Sequence, residues 1–211
     1  MSVIVPTITA GDSREFQRQL ERIQPFTKRI HLDLMDGMFA PSKSLPVADI
    51  HLPDDVQVDV HVMYLDPVSQ LDSFLMLKPK LVILHAEANG DIVNVAKKLR
   101  LLGVRVGMAM LPPTSVTAIA EHIELLDHVL IFSGNLGFQG GSQANPNLLS
   151  KINELRRLKQ DIEIGWDGGV NDSNVRALAQ AGIDVINVGG FIQQADDPTN
   201  AYQCLVDLVD G

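Results

Sequence analysis

The sequence predicts an α/β protein, namely a (β/α)8 TIM barrel in which residues 1–211 form a single domain. Short apolar, β-branched segments alternate with amphipathic helical segments along the whole chain, and no linker or low-complexity block divides them. Such alternation predicts parallel strands joined by right-handed crossovers, and eight of these units close naturally into a barrel. The main alternative, a doubly wound sheet, usually has fewer strands and a glycine-rich turn after the first one. Only Gly11 lies in that turn here, which favours the barrel.

The predicted strands are short runs rich in Val, Ile and Leu, bounded by turn residues. Because the side chains of a strand alternate between its two faces, each strand presents one set of residues to the barrel interior and another to the helices. The strands are predicted at residues 3–8, 29–35, 57–63, 81–85, 104–108, 128–132, 162–166 and 185–188.

The predicted helices follow most of the strands and carry recognisable start and stop residues. Ser13 is a candidate N-cap for the first helix, Pro112 and Pro113 mark the entry of another, and Gly103 ends one. The long segment 41–53 is predicted to be mostly loop with one helical turn. The helices are predicted at residues 13–24, 91–102, 114–122, 147–159, 172–181 and 198–209.

Composition excludes several classes of protein. Of the 211 residues, 45% are hydrophobic and 20% are charged, which excludes wholesale disorder. The formal net charge of −9 argues against nucleic acid or an anionic membrane as a partner. The lone Cys204 excludes an internal disulfide and an all-cysteine metal site. The N-terminus lacks a signal-peptide pattern and no apolar run is long enough to cross a bilayer, so we expect a cytoplasmic protein.

Polar side chains cluster at the carboxyl ends of the predicted strands, where the active site of such a barrel lies. His31 and Asp33 share one face of the second strand, His61 lies on the third, and Asp167 follows the seventh. Two imidazoles and two carboxylates at one barrel mouth make a mixed nitrogen–oxygen site that suits Zn²⁺, Fe²⁺, Mn²⁺ or Co²⁺. The fourth strand adds the segment His85-Ala-Glu87 at the same end.

The structural alternative for each of these residues is a role in packing or in a turn. A single histidine on a strand is more often a hydrogen-bonded core residue, and an aspartate before Gly-Gly, as at Asp167, is more often a turn residue. The joint occurrence favours a site, because each buried charge is costly unless it is paired or bound to metal. His51, His122 and His128 are expected to be ordinary surface or helix-end residues.

Glycine-rich loops follow the last three predicted strands and form the second candidate site. Glycine lets backbone N–H groups converge on a phosphate, and phosphate sites after strands seven and eight recur in these barrels. One such loop alone would simply indicate a turn, whereas three successive loops favour a phosphate site. The glycines of these loops are Gly134, Gly137, Gly140 and Gly141 after the sixth strand, Gly168 and Gly169 after the seventh, and Gly189 and Gly190 after the eighth.

Taken together, these motifs resemble the ribulose-phosphate 3-epimerase family. The resemblance runs from Pro6 to Pro198 and rests on HLDLMDGMFAPS, DVHVM, HAE, GMAMLPPT, NLGFQGG, DGGV and VGGFI, in that order. The family is a (β/α)8 barrel that interconverts D-ribulose 5-phosphate and D-xylulose 5-phosphate, a reaction of the pentose phosphate pathway, with a divalent metal ion. Its members commonly form dimers or hexamers, so the resemblance implies a homo-oligomer.

The resemblance also implies roles for individual residues. One divalent ion, Zn²⁺, Fe²⁺, Mn²⁺ or Co²⁺, would be held by His31, Asp33, His61 and Asp167. Asp33 and Asp167 would be the acid–base pair. Met35 would lie over the reacting carbons as part of an apolar cover. Met63 would complete that cover, and Gly137, Gly140, Gly169, Gly189 and Gly190 would bind the phosphate of the ketose.

Several positions depart from the family pattern and leave alternatives open. Ala10 replaces a serine whose hydroxyl reaches the substrate, Ser42 an asparagine and Phe132 a methionine, and the sixth loop is altered over residues 135–141. The substrate could therefore be another pentulose or hexulose phosphate, or the chain could be a degenerate barrel that binds a phosphosugar without turnover. A related phosphosugar decarboxylase would carry an Asp-x-Lys-x-x-Asp motif, and residues 31–37 contain no lysine.

Overall fold

A computed structural model describes residues 2–211, and in it eight parallel strands form a closed barrel in chain order, with β8 pairing back onto β1. The predicted (β/α)8 barrel is thus confirmed. The fifth and seventh strands each begin one residue later than predicted, and they end two residues and one residue later, respectively. The strands are β1 Val3–Ile8, β2 Arg29–Met35, β3 Gln57–Met63, β4 Leu81–His85, β5 Arg105–Met110, β6 His128–Phe132, β7 Glu163–Asp167 and β8 Val185–Val188.

The helices surround the barrel, and most of them are shorter than the sequence predicted. The predicted turn within residues 41–53 is the 3-10 segment Val47–Asp49. No helix among residues 2–211 combines the length and apolar character that a membrane crossing requires. The α-helices are α1 Ser13–Ile23, α2 Leu71–Leu75, α3 Ile92–Leu101, α4 Ser150–Leu158, α5 Val175–Gln180, α6 Gly190–Gln193 and α7 Pro198–Asp210.

Two helix predictions were wrong in detail. Asp12, not Ser13, caps α1: its backbone is extended and its carboxylate accepts the N–H of Glu15 at 2.8 Å, whereas Ser13 is already helical. The predicted helix 114–122 is instead two 3-10 segments, Val116–Ala118 and Ala120–Leu125. Its β-branched residues lose side-chain freedom in an α-helix, which lowers their helix propensity.

Strand alternation divides the core into two parts. Outward-facing residues of the strands, such as Leu32 and Leu34, pack against the helices in one large cluster. A smaller layer of strand residues packs by itself and fills the middle of the barrel. This layer separates the two ends of the barrel interior, which carry different polar groups. Its members are Leu81, Ile83, Ala109 and Leu130.

A partly buried cluster of ion pairs occupies the end of the barrel where the strands begin. Glu163 accepts hydrogen bonds of 2.8 Å from His128 Nδ1 and from the Arg105 guanidinium, and Arg29 donates one of 2.8 Å to Asp59. His128 is only 1% exposed, so the expectation that it lies at the surface or a helix end was wrong. The reason is tertiary: His128 begins β6 with its side chain inside the barrel, where Glu163 of the neighbouring β7 binds it.

Replacement of Glu163 by glutamine tests this cluster through pH dependence. Burial acts to raise the pKa of Glu163, but His128 and Arg105 outweigh it and lower the pKa from 4.5 to about 2. Because the folded-state pKa is the lower one, the carboxylate stabilises the fold above its unfolded pKa, and this contribution is lost as the pH falls toward the folded value.

We expect Glu163→Gln to lower the free energy of unfolding at neutral pH by about 1–3 kcal/mol, measured by urea denaturation. The difference from the wild type should shrink as the pH falls from about 5 to about 3. A difference that stayed constant over that range would contradict this account of the cluster.

Candidate metal centre and substrate cavity

The other end of the barrel brings together four side chains that can ligate a metal. One ligand atom from each of His31, Asp33, His61 and Asp167 lies within 4.8 Å of the others, and all four residues are buried. The register accounts for this convergence. His31 and Asp33 alternate onto the interior face of β2, Asp33 lies opposite His61 of β3, and Asp167 is the last residue of β7.

Asp33 lies at the centre of the group. Its Oδ1 is 2.9 Å from His61 Nδ1 and 3.3 Å from His31 Nε2, and its Oδ2 accepts the Thr9 hydroxyl at 2.7 Å. Asp167 Oδ2 lies 3.8 Å from each of the same two imidazole nitrogens. Four ligand atoms therefore face a common point, with Thr9 fixing the orientation of the central carboxylate.

The hydrogen bonding of His31 shows that this group fits a cation. Both ring nitrogens of His31 are buried and make no hydrogen bond within residues 2–211, which is costly for polar atoms in a protein interior. A ligated cation would satisfy Nε2, the nitrogen that faces Asp33 and Asp167. The buried group can therefore hold a metal ion, and its two nitrogens and two oxygens match the mixed donor set that the sequence predicted.

The two carboxylates differ in their proton affinity. Burial raises the pKa of Asp167 to about 7, and the negative charge of Asp33 adds to the increase. Burial also acts to raise the pKa of Asp33, but the adjacent imidazoles of His31 and His61 hold it well below its usual range. Near neutral pH one carboxyl is ionised while the other exchanges its proton readily, which is the arrangement expected of an acid–base pair.

The two imidazoles also differ in the direction of their pKa shifts. Burial lowers the pKa of His61 to about 4, so its ring is neutral at neutral pH. For His31 burial acts in the same direction, but the adjacent carboxylate of Asp33, followed by the charges of Asp167 and Asp59, raises its pKa. A divalent cation at this point would favour the ionised carboxylates and the neutral imidazoles, because it supplies the opposite charge.

A cavity of about 450 Å³ opens above this group and is lined by both carboxylates. Met35 and Met63 pair across β2 and β3, line the cavity and pack with Ala40 as a buried apolar patch. The loops after β6, β7 and β8 form the rest of the wall. All five predicted phosphate-loop glycines line it: Gly137, Gly140, Gly169, Gly189 and Gly190.

Glycine is required where two of these loops meet. Gly168 has φ +110°, and a Cβ there would lie 2.1 Å from the backbone nitrogen of Gly134 in the loop after β6. Gly169 has φ +72°, and its Cβ would lie 2.1 Å from the backbone nitrogen of Ala144. The loops after β6 and β7 therefore approach each other backbone to backbone, and only glycine fits at the two points of contact.

Sequence reasoning missed three polar residues that line the cavity. The Thr7 hydroxyl and both amide atoms of Asn187 are buried without a hydrogen-bond partner in the described part of the chain, and Thr9 binds Asp33. The signals for Thr7 and Asn187 were polar residues at interior-facing positions of the otherwise apolar strands at 3–8 and 185–188, and Thr9 continues the alternation of Thr7 one residue beyond the first strand. Ala10, at the position of the expected serine hydroxyl, is buried in the hydrophobic core instead.

These observations define a class: a (β/α)8 barrel with a buried two-histidine, two-aspartate centre beside a glycine-lined cavity. Within that class the chain belongs to the ribulose-phosphate 3-epimerase family, whose sequence profile matches residues 3–193. The resemblance stated from the motifs is thus confirmed.

Individual relatives agree over nearly the full length. The ribulose-phosphate 3-epimerase of Mycobacterium bovis is 30% identical over 210 residues, covering 96% of this chain and 91% of the relative. That of Helicobacter pylori is 30% identical, with coverage of 96% and 95%. Among solved structures, 3-keto-L-gulonate-6-phosphate decarboxylase from Vibrio cholerae superposes with a TM-score of 0.77. The match covers 99% of this chain and 97% of the decarboxylase. Because the two sequences are only 10% identical, this similarity shows a shared fold and nothing more.

Two alanine substitutions in the cavity loops test the close approach of the backbones after β6 and β7. Gly168 and Gly141 both have positive φ, but a Cβ at Gly141 would meet no described atom within 4 Å. We expect Gly141→Ala to cost about 1–2 kcal/mol for the left-handed backbone alone. Gly168→Ala should cost about 1–3 kcal/mol more, because its Cβ displaces the facing backbone. Urea denaturation of both variants measures this, and equal losses would contradict the backbone contact.

Proposed function

We propose that this chain is a metal-dependent epimerase that inverts C3 of a ketose phosphate, with D-ribulose 5-phosphate and D-xylulose 5-phosphate as its substrate pair. The observation that carries the proposal is the group of two imidazoles and two carboxylates, in which Asp33 and Asp167 have opposite pKa shifts. Membership of the ribulose-phosphate 3-epimerase family supports the same substrate class.

The two aspartates suit the proton transfers of this reaction. Epimerisation removes the C3 proton, which is acidic because it lies next to the C2 carbonyl, and returns a proton to the opposite face of a planar enediolate. Asp33 comes from β2 and Asp167 from β7, which are not neighbours in the barrel. We assign the ionised Asp33 as the base that takes the C3 proton and Asp167 as the acid that returns one. In the reverse direction the two exchange roles.

The proposed ligands of the cation are His31, Asp33, His61 and Asp167, and their donor set suits Zn²⁺, Fe²⁺, Mn²⁺ or Co²⁺. A bound divalent cation supplies electrostatic stabilisation of the negative charge that develops on the C2 and C3 oxygens. The apolar side chains of Met35 and Met63 would cover the reacting carbons and exclude water from the enediolate.

The proposed phosphate site uses backbone groups. None of the described residues that line the cavity is a lysine or arginine, so an anion there depends on N–H donors and on the side-chain amides of Gln139 and Gln194. Glycines leave room for these N–H groups to approach an anion closely. The residues proposed for the phosphate are Gly137, Gly140, Gly169, Gly189 and Gly190.

Further predictions follow from family membership rather than from the site. We expect one domain over residues 1–211, a homo-oligomer and a cytoplasmic location. A different pentulose or hexulose phosphate remains the second candidate substrate, because the free amide of Asn187 lines the cavity and offers a specific contact to a sugar hydroxyl. Because all four proposed metal ligands are present, we favour a catalytic barrel over a degenerate barrel that only binds a phosphosugar.

Proton exchange tests the proposed reaction. With Zn²⁺, Fe²⁺, Mn²⁺ or Co²⁺ present, the wild type should exchange the C3 proton of D-ribulose 5-phosphate for solvent deuterium, followed by NMR. Asp33→Asn and Asp167→Asn should each lower the exchange rate by about 10²–10⁴-fold, because each removes one proton-carrying group. Metal content is measured in parallel, since asparagine keeps an oxygen ligand and a metal-loaded, inactive variant isolates the acid–base role.

The control for this experiment is binding of the unreacted sugar phosphate by calorimetry. If the wild type bound D-ribulose 5-phosphate but exchanged no proton with any of the four metals, the epimerase proposal would be wrong and the degenerate binding barrel would be favoured.

A further inference from the structure

We propose that Asn187 is a specificity-determining residue whose side-chain amide binds the C4 hydroxyl of the ketose phosphate. The inference rests on the proposed function, because it takes the places of the reacting carbon and of the phosphate from that proposal. Asn187 is not among the proposed metal ligands, and the proposed proton transfers leave it without a role.

The amide of Asn187 is a buried polar group without a partner. The residue is 2% exposed, and neither its Oδ1 nor its Nδ2 makes a hydrogen bond within residues 2–211. An amide buried without hydrogen bonds costs stability, so an apolar side chain at this position would suit the free protein better. Because Asn187 also lines the cavity, a bound ligand can supply the partner that the chain does not.

A second unpartnered polar side chain marks the same wall of the cavity. The hydroxyl of Thr7 is buried without a hydrogen-bond partner in the described part of the chain, and Thr7 lies on β1, which pairs with β8. The other interior-facing residues of these two strands are the valines Val5 and Val185. A neutral hydroxyl and a neutral amide in an otherwise apolar wall suit the hydroxyl groups of a sugar.

The strand register places Asn187 between the proposed reacting centre and the proposed phosphate site. Its partner across β7 and β8 is Asp167, the proposed acid, and Gly189 follows two residues further toward the mouth of the barrel. Neighbouring strands lie about 4.8 Å apart, and two residues of a strand span about 6–7 Å. A ketose phosphate that reaches from Asp167 to Gly189 therefore passes over Asn187.

The chemistry of the substrate identifies which hydroxyl lies there. In a pentulose 5-phosphate the reacting carbon is C3 and the phosphate is attached to C5, so C4 carries the only hydroxyl between them. An amide donates through Nδ2 and accepts through Oδ1, and a hydroxyl can also do both, so either atom of the amide can bind it. The position of Asn187 and its hydrogen-bonding capacity both match the C4 hydroxyl.

The proposed contact has a definite kinetic signature. C4 takes no part in the inversion at C3, so a hydrogen bond to its hydroxyl is equally strong in the ground state and in the transition state. Loss of such uniform binding raises KM and leaves kcat unchanged. A residue that acted on the proton transfer by Asp167 would change kcat instead.

Asn187→Val is the decisive substitution. Valine is close to asparagine in volume, suits a strand interior and carries no polar side-chain atom, so it removes both the proposed contact and the unpartnered amide. We expect the variant, free of metal and ligand, to melt about 2–6 °C above the wild type, measured by calorimetry. A melting temperature equal to or below that of the wild type would contradict an unsatisfied amide and overturn the inference.

Gln193→Met is the matched control. Gln193 is also a buried residue at this end of the barrel, but its side chain does not line the cavity. Its Nε2 donates to the backbone oxygens of Thr7 and Gln19 at 3.3 Å each. Any general effect of losing a buried amide near β1 appears in this variant too, whereas a loss of selectivity for the hydroxyl appears only in Asn187→Val.

The main readout is selectivity between D-ribulose 5-phosphate and its 4-deoxy analogue, from the KM of C3 proton exchange followed by NMR. We expect the wild type and Gln193→Met to have a KM about 10–100-fold higher for the analogue than for D-ribulose 5-phosphate. Asn187→Val should have about the same high KM for both compounds, with kcat for D-ribulose 5-phosphate about unchanged. Equal KM values in the wild type would overturn the inference whatever the variants do.

Inorganic phosphate, tested as a competitive inhibitor of the exchange, distinguishes the hydroxyl from the phosphate as the partner of Asn187. We expect equal inhibition of the wild type and Asn187→Val. A loss of phosphate affinity as large as the rise in KM would assign the amide to the phosphate and overturn the inference, as would a fall in kcat at constant KM.

Failure of the inference and failure of the proposed function give different results. A wild type that exchanged the C3 proton but did not distinguish the two compounds would overturn only the role of Asn187. A wild type that exchanged no proton with any of the four metals would overturn the proposed function, and this inference with it.

Discussion

The burial of two carboxylates and two imidazoles at a single point inside the barrel is the constraint on which the rest of this structure depends. Without a cation, burial and the charge of Asp33 raise the pKa of Asp167 to about 7, and His31 has no hydrogen-bond partner for either ring nitrogen within residues 2–211. Both features are costly in a protein interior. A divalent ion between the side chains would remove both costs. The residues that destabilise the metal-free fold are therefore also the residues suited to binding a metal ion.

The polar groups that stabilise the fold and the polar groups of the candidate site lie at opposite ends of the barrel. At the end where the strands begin, Glu163 accepts hydrogen bonds from His128 and Arg105 and its charge favours the folded state, although His128 Nε2 has no partner among the described residues. An apolar layer fills the middle. At the other end, where the cavity opens, both ring nitrogens of His31 and the amide atoms of Asn187 are buried without a partner among the described residues. Polar groups that satisfy one another stabilise the fold, while groups left without partners remain available to a cation and a substrate.

Much of the barrel could be predicted from the sequence because strands buried on both faces give a strong local signal. The helices were harder, since short segments such as Gly190–Gln193 have no periodicity to detect and β-branched residues turned 114–122 into 3-10 segments. The candidate ligands could be predicted because residue type and strand alternation place them. The burial of His128 and the role of Thr9 could not, because they depend on contacts with neighbouring strands that a single sequence does not show.

The most direct test of the central claim is anomalous diffraction from crystals of the protein soaked with Zn²⁺, recorded on both sides of the zinc absorption edge. We expect one strong peak per chain at the barrel mouth, about 2.0–2.2 Å from the nitrogens of His31 and His61 and from oxygens of Asp33 and Asp167. A zinc peak found only elsewhere on the molecule, with no peak between these four side chains, would contradict it.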